Sequence, residues 1–231
     1  MQIERPILFS GHMVQAILEG RKTQTRRAVS EKRGLLAYIQ RALSFGAPVL
    51  HRCPYGKPGD RLWVRESFCF EGSLEYSMHE SQYPRDGRPT KPEEEFGGEG
   101  GSHGWLVPWY RATDGEPNIV PEGLEDSSDD RTRWKPSIHM PRWASRITLE
   151  VTEVRVQRLQ DISEEDAKAE GVAKPYPCDH SRQSCAEIGC LGPTHKANFC
   201  DLWDSINGKR QGAAWADNPW VWVVSFKRAK P

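Results

Sequence analysis

The apolar positions of the chain fall into helical and alternating periods that mark out its elements. From Ser10 onward, Met13, Ile17 and Leu18 recur at helical spacing, and Gly20 stands where a helix ends on a left-handed residue. Pro6-Ile7-Leu8-Phe9 ahead of it is an apolar run suited to a buried strand. After Gly20, threonines alternate with long polar side chains from Lys22 to Arg26, which predicts a short strand or strand-like turn. Leu35, Leu36, Ile39 and Leu43 return to helical spacing, closed by Gly46 and Pro48. Lys57-Pro58-Gly59-Asp60 is a turn by composition. The stretch 61–68 then alternates, with Leu62 and Val64 on one side and Trp63 and Arg65 on the other.

Ile147, Leu149 and Val151 lie on one face of the clearest strand, over 146–154, which is predicted to be central. Ser163-Glu164-Glu165-Asp166 opens a helix with a capping hydroxyl and early acids, and Gly171 ends it. Phe199, Leu202, Trp203 and Ile206 give a second amphipathic helix, and 220–226 closes the chain as a buried strand. Residues 71–133 keep no such period. They hold Gly97-Gly98-Glu99-Gly100-Gly101 and Asp126-Ser127-Ser128-Asp129-Asp130, with only 105–111 reading as a strand. The expectation is one α+β domain over 1–231, with an acidic Gly-rich insertion at about 71–133 and a Cys/His-rich insertion at about 173–200.

Composition changes this picture little. Lys and Arg total 32 and so do Asp and Glu, which excludes a polycation that binds nucleic acid by bulk charge. The distribution is uneven: residues 1–70 are enriched in Lys and Arg, whereas 92–130 are acidic around the single Arg111. No apolar run approaches the roughly 20 residues of a membrane span, and no signal peptide is evident, so a cytoplasmic protein is expected. Its six cysteines then read as thiols or metal ligands rather than disulfides.

The ordered features Gly20-Arg21-Lys22-Thr23-Gln24-Thr25-Arg26-Arg27, Lys57-Pro58-Gly59-Asp60-Arg61-Leu62-Trp63-Val64-Arg65-Glu66, a long strand, an acidic helix with Ala169-Glu170-Gly171, and a terminal apolar strand resemble the ASCH domain. That domain is one of the PUA-like β-barrels, and the variant is similar to one common in phages and prophages. The likeness covers roughly 5–70, 134–172 and the last strand, and leaves both insertions outside. It implies a small PUA-like barrel flanked by helices, with a cleft for a nucleobase or nucleoside. Some members are amidohydrolases that remove the acyl group of N4-acylcytidine with a lysine, a threonine and a distant glutamate. Those roles fall on Lys22, Thr25 and Glu170, and no cofactor is implied. The alternative is an RNA-binding or RNA-cleaving module of phage origin.

The chemistry stands beside the likeness. Thr25 can be a nucleophile only if a neighbour takes its proton, and Lys22 can do so only if desolvation or Arg21, Arg26 and Arg27 depress its pKa. Three residues apart, the two lie on opposite faces of an ideal strand, so their convergence requires a bend or bulge. Glu170 would orient the lysine or pass a proton to the leaving amine. For substrate binding the candidates are Arg26, Trp63 as a stacking platform, and Arg65, Glu66 and Arg142 for the polar edge of a base. Trp63 serves equally well as a core residue, and the basic cluster as a phosphate-contacting face. Finally, Cys178, His180, Cys185, Cys190 and His195 could hold a structural zinc ion, with reduced free thiols as the alternative.

Overall fold

The computed structural model describes residues 2–30, 34–45, 49–72, 91–92, 105–114, 134–173, 192 and 194–229. The described chain is mixed α+β. Its strands are β1 (Glu4–Leu8), β2 (Gln24–Ala28), β3 (Arg61–Arg65), β4 (Phe68–Gly72), β5 (Lys91–Pro92), β6 (Trp105–Tyr110), β7 (Thr148–Arg158) and β8 (Trp220–Arg228). Its α-helices are α1 (Gly11–Leu18), α2 (Leu35–Ser44), α3 (Glu164–Ala169) and α4 (His195–Asn207). Five strands form a sheet in the order β1-β3-β7-β8-β2, and three form another in the order β4-β6-β5. No described helix is long and apolar enough to cross a membrane.

The chain divides into two compact units. The first comprises 1–5, 16–61 and 149–229. Here β8 pairs antiparallel with β7 on one side and β2 on the other. Val221, Trp222, Val223 and Val224 are all buried in succession. This is what an unbroken apolar run predicts for a strand covered on both faces. Val221 and Val223 pack with Leu159, Ile162, Ala167, Phe199 and Trp203, so helices α3 and α4 cover one face. Ser163 caps α3 by accepting the Asp166 amide hydrogen. The expected stripe on α4 is narrower than its sequence suggests. Phe199 and Trp203 are buried, but Ile206 is 51% exposed. The turn before β3 is built as its composition predicts: Asp60 N donates to Lys57 O, and the Asp60 carboxylate accepts from the amides of Ile3 and Lys57.

The second unit comprises 6–15, 62–148 and 230–231. The alternating stretch 61–68 is not one strand. It breaks after Arg65 and resumes at Phe68, which pairs β4 with β6. The interval 71–133 is therefore not all appendage. Tyr110 is fully buried in a cluster with Phe68, Met140 and Ala144, and its hydroxyl donates to Ala144 O at 2.8 Å. Sequence composition concealed this because one six-residue strand sits between stretches too polar to suggest a core. The Gly-rich and acidic runs at 97–101 and 126–130 lie outside the described residues.

Candidate active site

The stretch that carries the sequence argument folds within the first unit. Helix α1 ends as Gly20 takes φ 75°, the left-handed turn that glycine adopts at little cost. Lys22 N then donates to Ala16 O, and Thr23 N to Ala169 O, so the chain is fastened to the end of α3 before β2 begins. Lys22 and Glu170 form an isolated antiparallel bridge. Gly171 makes the approach possible. Its φ is +78°, and a Cβ there would stand 2.7 Å from the Lys22 Cβ and 3.0 Å from the Ala16 Cβ.

Around this bridge lies a buried network of charges. Lys22 Nζ donates to Gln24 O, Glu170 O and Glu170 Oε2, each at 2.8 Å. Three acceptors match the three N–H groups of an ammonium ion. Glu170 Oε1 is held by Arg26 Nη1 at 3.1 Å, and Arg26 Nη2 reaches Asp166 Oδ2 at 2.6 Å. Arg155 joins Asp166 from β7, while the Gln24 amide donates to Asp166 Oδ1 and Ser225 Oγ, both at 3.2 Å. Burial pulls the Lys22 amine below the ordinary lysine value, with Arg27 and Arg26 adding to the effect and the Glu170 carboxylate opposing it. Burial works against the Asp166 carboxylate, yet the bonds and charges of Arg155 and Arg26 together hold its pKa below the usual aspartate value.

Lys22 and Glu170 are thus brought into direct contact, and Arg26 is engaged inside the protein by two carboxylates. Thr25 is 3% exposed and stands opposite Val224 in β8. Among the described residues its hydroxyl has no hydrogen-bond partner. Strand alternation puts Gln24 and Arg26, which are bonded to each other, on one face and Thr25 and Arg27 on the other. Burial lowers the Arg27 pKa, with Tyr55 and Glu170 opposing, and burial raises that of the Tyr55 phenol.

A comparison with protein-family models, curated proteins and solved structures finds no match. The site therefore has to be judged from its own geometry. Sequence reasoning did not single out Gln24, Arg155, Asp166 or Ser225. A usable signal existed for Asp166, which stands four residues before Glu170 and so shares its side of α3. Arg155 and Ser225 had none, because only the register of β7, β8 and β2 brings them near.

The other substrate-binding candidates lie in the second unit. Trp63 is 8% exposed, with the guanidinium of Arg65 4.7 Å and that of Arg142 5.8 Å from its ring centre. Its ring is already in cation–π contact, so it is a packed residue rather than an open platform. Glu66 is buried and bonded by both Nε and Nη2 of Arg146 at 3.0 Å. Burial raises the Glu66 pKa, against the pull of Arg146, and Arg146 in turn lies 3.9 Å above the Tyr110 ring. Glu66 is thereby a structural tie. Arg142 is exposed, and its Nη2 lies 3.5 Å from Thr148 Oγ1.

Of the zinc candidates, Cys178, His180, Cys185 and Cys190 fall outside the described residues. His195 is described, at the start of α4, where its Nδ1 lies 2.8 Å from Glu164 Oε1. No group of three or more metal-binding side chains occurs among the described residues. Cys53, Cys69 and Cys200 are free thiols, and burial pushes Cys53 and Cys200 up to about 11.

Proposed function

We propose that the chain is an amidohydrolase that removes the acyl group from the exocyclic amine of N4-acylcytidine or a related nucleoside, on a PUA-like barrel of the ASCH type. The observation that carries this reading is the buried Lys22–Glu170 pair at 2.8 Å, three residues from Thr25 on the same short segment. A lysine whose pKa is lowered by burial is the kind of base that can work near neutral pH. The barrel part of the reading draws on the five-strand sheet and the order of its elements.

In this mechanism Lys22 loses its proton to solvent, releases the Gln24 carbonyl and turns toward Thr25. Thr25 Oγ1 attacks the acyl carbon as its proton passes to Lys22 Nζ. Collapse of the adduct breaks the bond between the acyl carbon and N4, and the proton moves on to the leaving amine. Water, deprotonated by Lys22, then frees the acid from the acyl-threonine. Glu170, held by Arg26, stabilises the lysine each time it becomes an ammonium ion. No cofactor enters these steps. The test is hydrolysis of N4-acylcytidine by purified protein, with free cytidine as the product measured. Turnover no faster than that of Thr25→Ala would overturn the proposal.

A second reading, an RNA-binding module, rests on a pocket of about 580 Å³ in the second unit. Phe68, Phe70, Trp134, Lys135 and His139 line it, and Phe70 stacks on Trp143 with ring centres 5.3 Å apart. Aromatic walls beside a cation suit an unstacked base and its phosphate. RNA binding that Phe70→Ala abolishes, in a protein without hydrolase activity, would favour this reading over the first.

A further inference from the structure

The first unit has a second concave site that the Lys22 network does not use. A pocket of about 410 Å³ is lined by the end of β2, helix α2, the turn after α4 and the start of β8. Its size is within the roughly 300–1,000 Å³ of small-molecule sites. Its polar lining consists largely of donors. Arg158, Arg210, Gln40 and Gln211 all contribute. Trp220 contributes its ring to the wall, since its Nε1 has no exposed surface. Asp217 is the carboxylate of the lining, and its Oδ2 already accepts the Ala214 amide hydrogen at 3.0 Å.

These donors are set in place beforehand. Arg158 lies 4.6 Å above the Trp220 ring and gives one N–H to Asn218 O at 3.0 Å, leaving the rest of its guanidinium fork. The turn bearing Arg210 is closed by Arg210 N to Asn207 O and Ala213 N to Arg210 O. Trp203 Nε1 then anchors it through Ala213 O at 2.8 Å. Two guanidinium groups and two amides line it from different elements. Such a set suits a tetrahedral oxyanion with several oxygens better than the single plane of a carboxylate. Leu36 and Pro219 supply apolar wall for the remainder of a larger molecule.

We infer that this pocket binds a phosphate group carried by a nucleotide. The inference is independent of the amidohydrolase reading, because it concerns binding through residues other than Lys22, Thr25 and Glu170. The experiment is calorimetric titration of the full chain with inorganic phosphate, a nucleoside, its 5′-monophosphate, and a short 5′-hydroxyl oligoribonucleotide that carries only diesters. The monophosphate is expected to bind at least tenfold more tightly than the nucleoside, with affinity falling as salt rises. Inorganic phosphate should compete. Arg210→Glu, at an exposed position, should abolish that tenfold advantage without lowering the melting temperature. A diester oligonucleotide that competes as well as the monophosphate identifies an RNA backbone as the source, and failure of the oligonucleotide alone identifies a free nucleotide. Equal affinity for nucleoside and monophosphate, or an advantage that survives Arg210→Glu, would overturn the inference.

Discussion

Replacing Lys22 by methionine tests whether the buried network holds the first unit together as its geometry implies. Methionine has similar reach and no charge, so the change removes three hydrogen bonds at 2.8 Å while filling much of the same space. Two backbone carbonyls lose a donor, and among the described residues the Glu170 carboxylate keeps only Arg26, at 3.1 Å. Removing one partner of a buried ion pair costs about 3–5 kcal/mol, because the other charge stays buried. At about 2–4 °C per kcal/mol for a domain of this size, the melting temperature should fall by roughly 6–20 °C. Urea unfolding followed by circular dichroism measures the cost directly. A cycle with Glu170→Gln should return a coupling of about 1–3 kcal/mol, as expected for residues in contact. A loss below about 1 kcal/mol for Lys22→Met, with the urea dependence unchanged, would refute the reasoning. The expected cost also means that lost turnover in a Lys22 variant is not by itself evidence of chemistry.

Other consequences follow from single contacts. Gly171→Ala should cost about 2–5 kcal/mol, the sum of a left-handed backbone and an overpacked contact with Lys22. Gly20→Ala, with φ +75° but nothing within 4 Å, should cost only about 1–2 kcal/mol; equal losses in thermal melts would deny the close approach. Burial disfavours the Asp60 carboxylate, but the Ile3 and Lys57 amides and the Lys57 and Arg5 charges outweigh it and hold its pKa below the ordinary 3.8. Its stabilisation is therefore complete above about pH 4 and lost as pH falls through the lowered value, so Asp60→Asn should destabilise the protein at pH 7 and much less in acid. A cost in melting experiments that does not change with pH would contradict that assignment. Tyr110→Ala should cost about 3–5 kcal/mol in urea unfolding, since it empties the centre of its cluster, and a near-neutral result would return 105–110 to the status of an appendage.

Much of the fold was legible where one periodicity dominated. Helix α1 with Gly20, the turn at Asp60, the cap at Ser163, central β7 and terminal β8 all follow from local rules that tertiary contacts reinforce. The break at Glu66 was not legible, and the residue bonded to the buried Glu66 carboxylate there, Arg146, is eighty residues away. The exposure of Ile206 was also hidden, since the stripe of α4 is fixed by where Val221 and Val223 lie beneath it. At the candidate site, Lys22 and Glu170 were paired only through the family resemblance, and in the structure they form a buried ion pair. Residue counting had put Lys22 and Thr25 on opposite faces of an ideal strand; Thr25 lies in β2, and Lys22 lies just before it in an isolated bridge to Glu170.

Thr25 offers the most direct test of the proposed chemistry because its hydroxyl contributes no hydrogen bond to the described fold. Thr25→Ala should change stability by no more than about 1 kcal/mol, the range of strand preferences. The measurement is the rate of N4-acylcytidine hydrolysis by wild type, Thr25→Ser and Thr25→Ala as a function of pH. Wild type and Thr25→Ser should both turn over, with a rate that rises through the lowered Lys22 pKa because only the neutral amine accepts the proton. Thr25→Ala should fall by at least about a thousandfold, as loss of a nucleophile requires. Folded Thr25→Ala that hydrolyses the substrate at the wild-type rate would contradict the account.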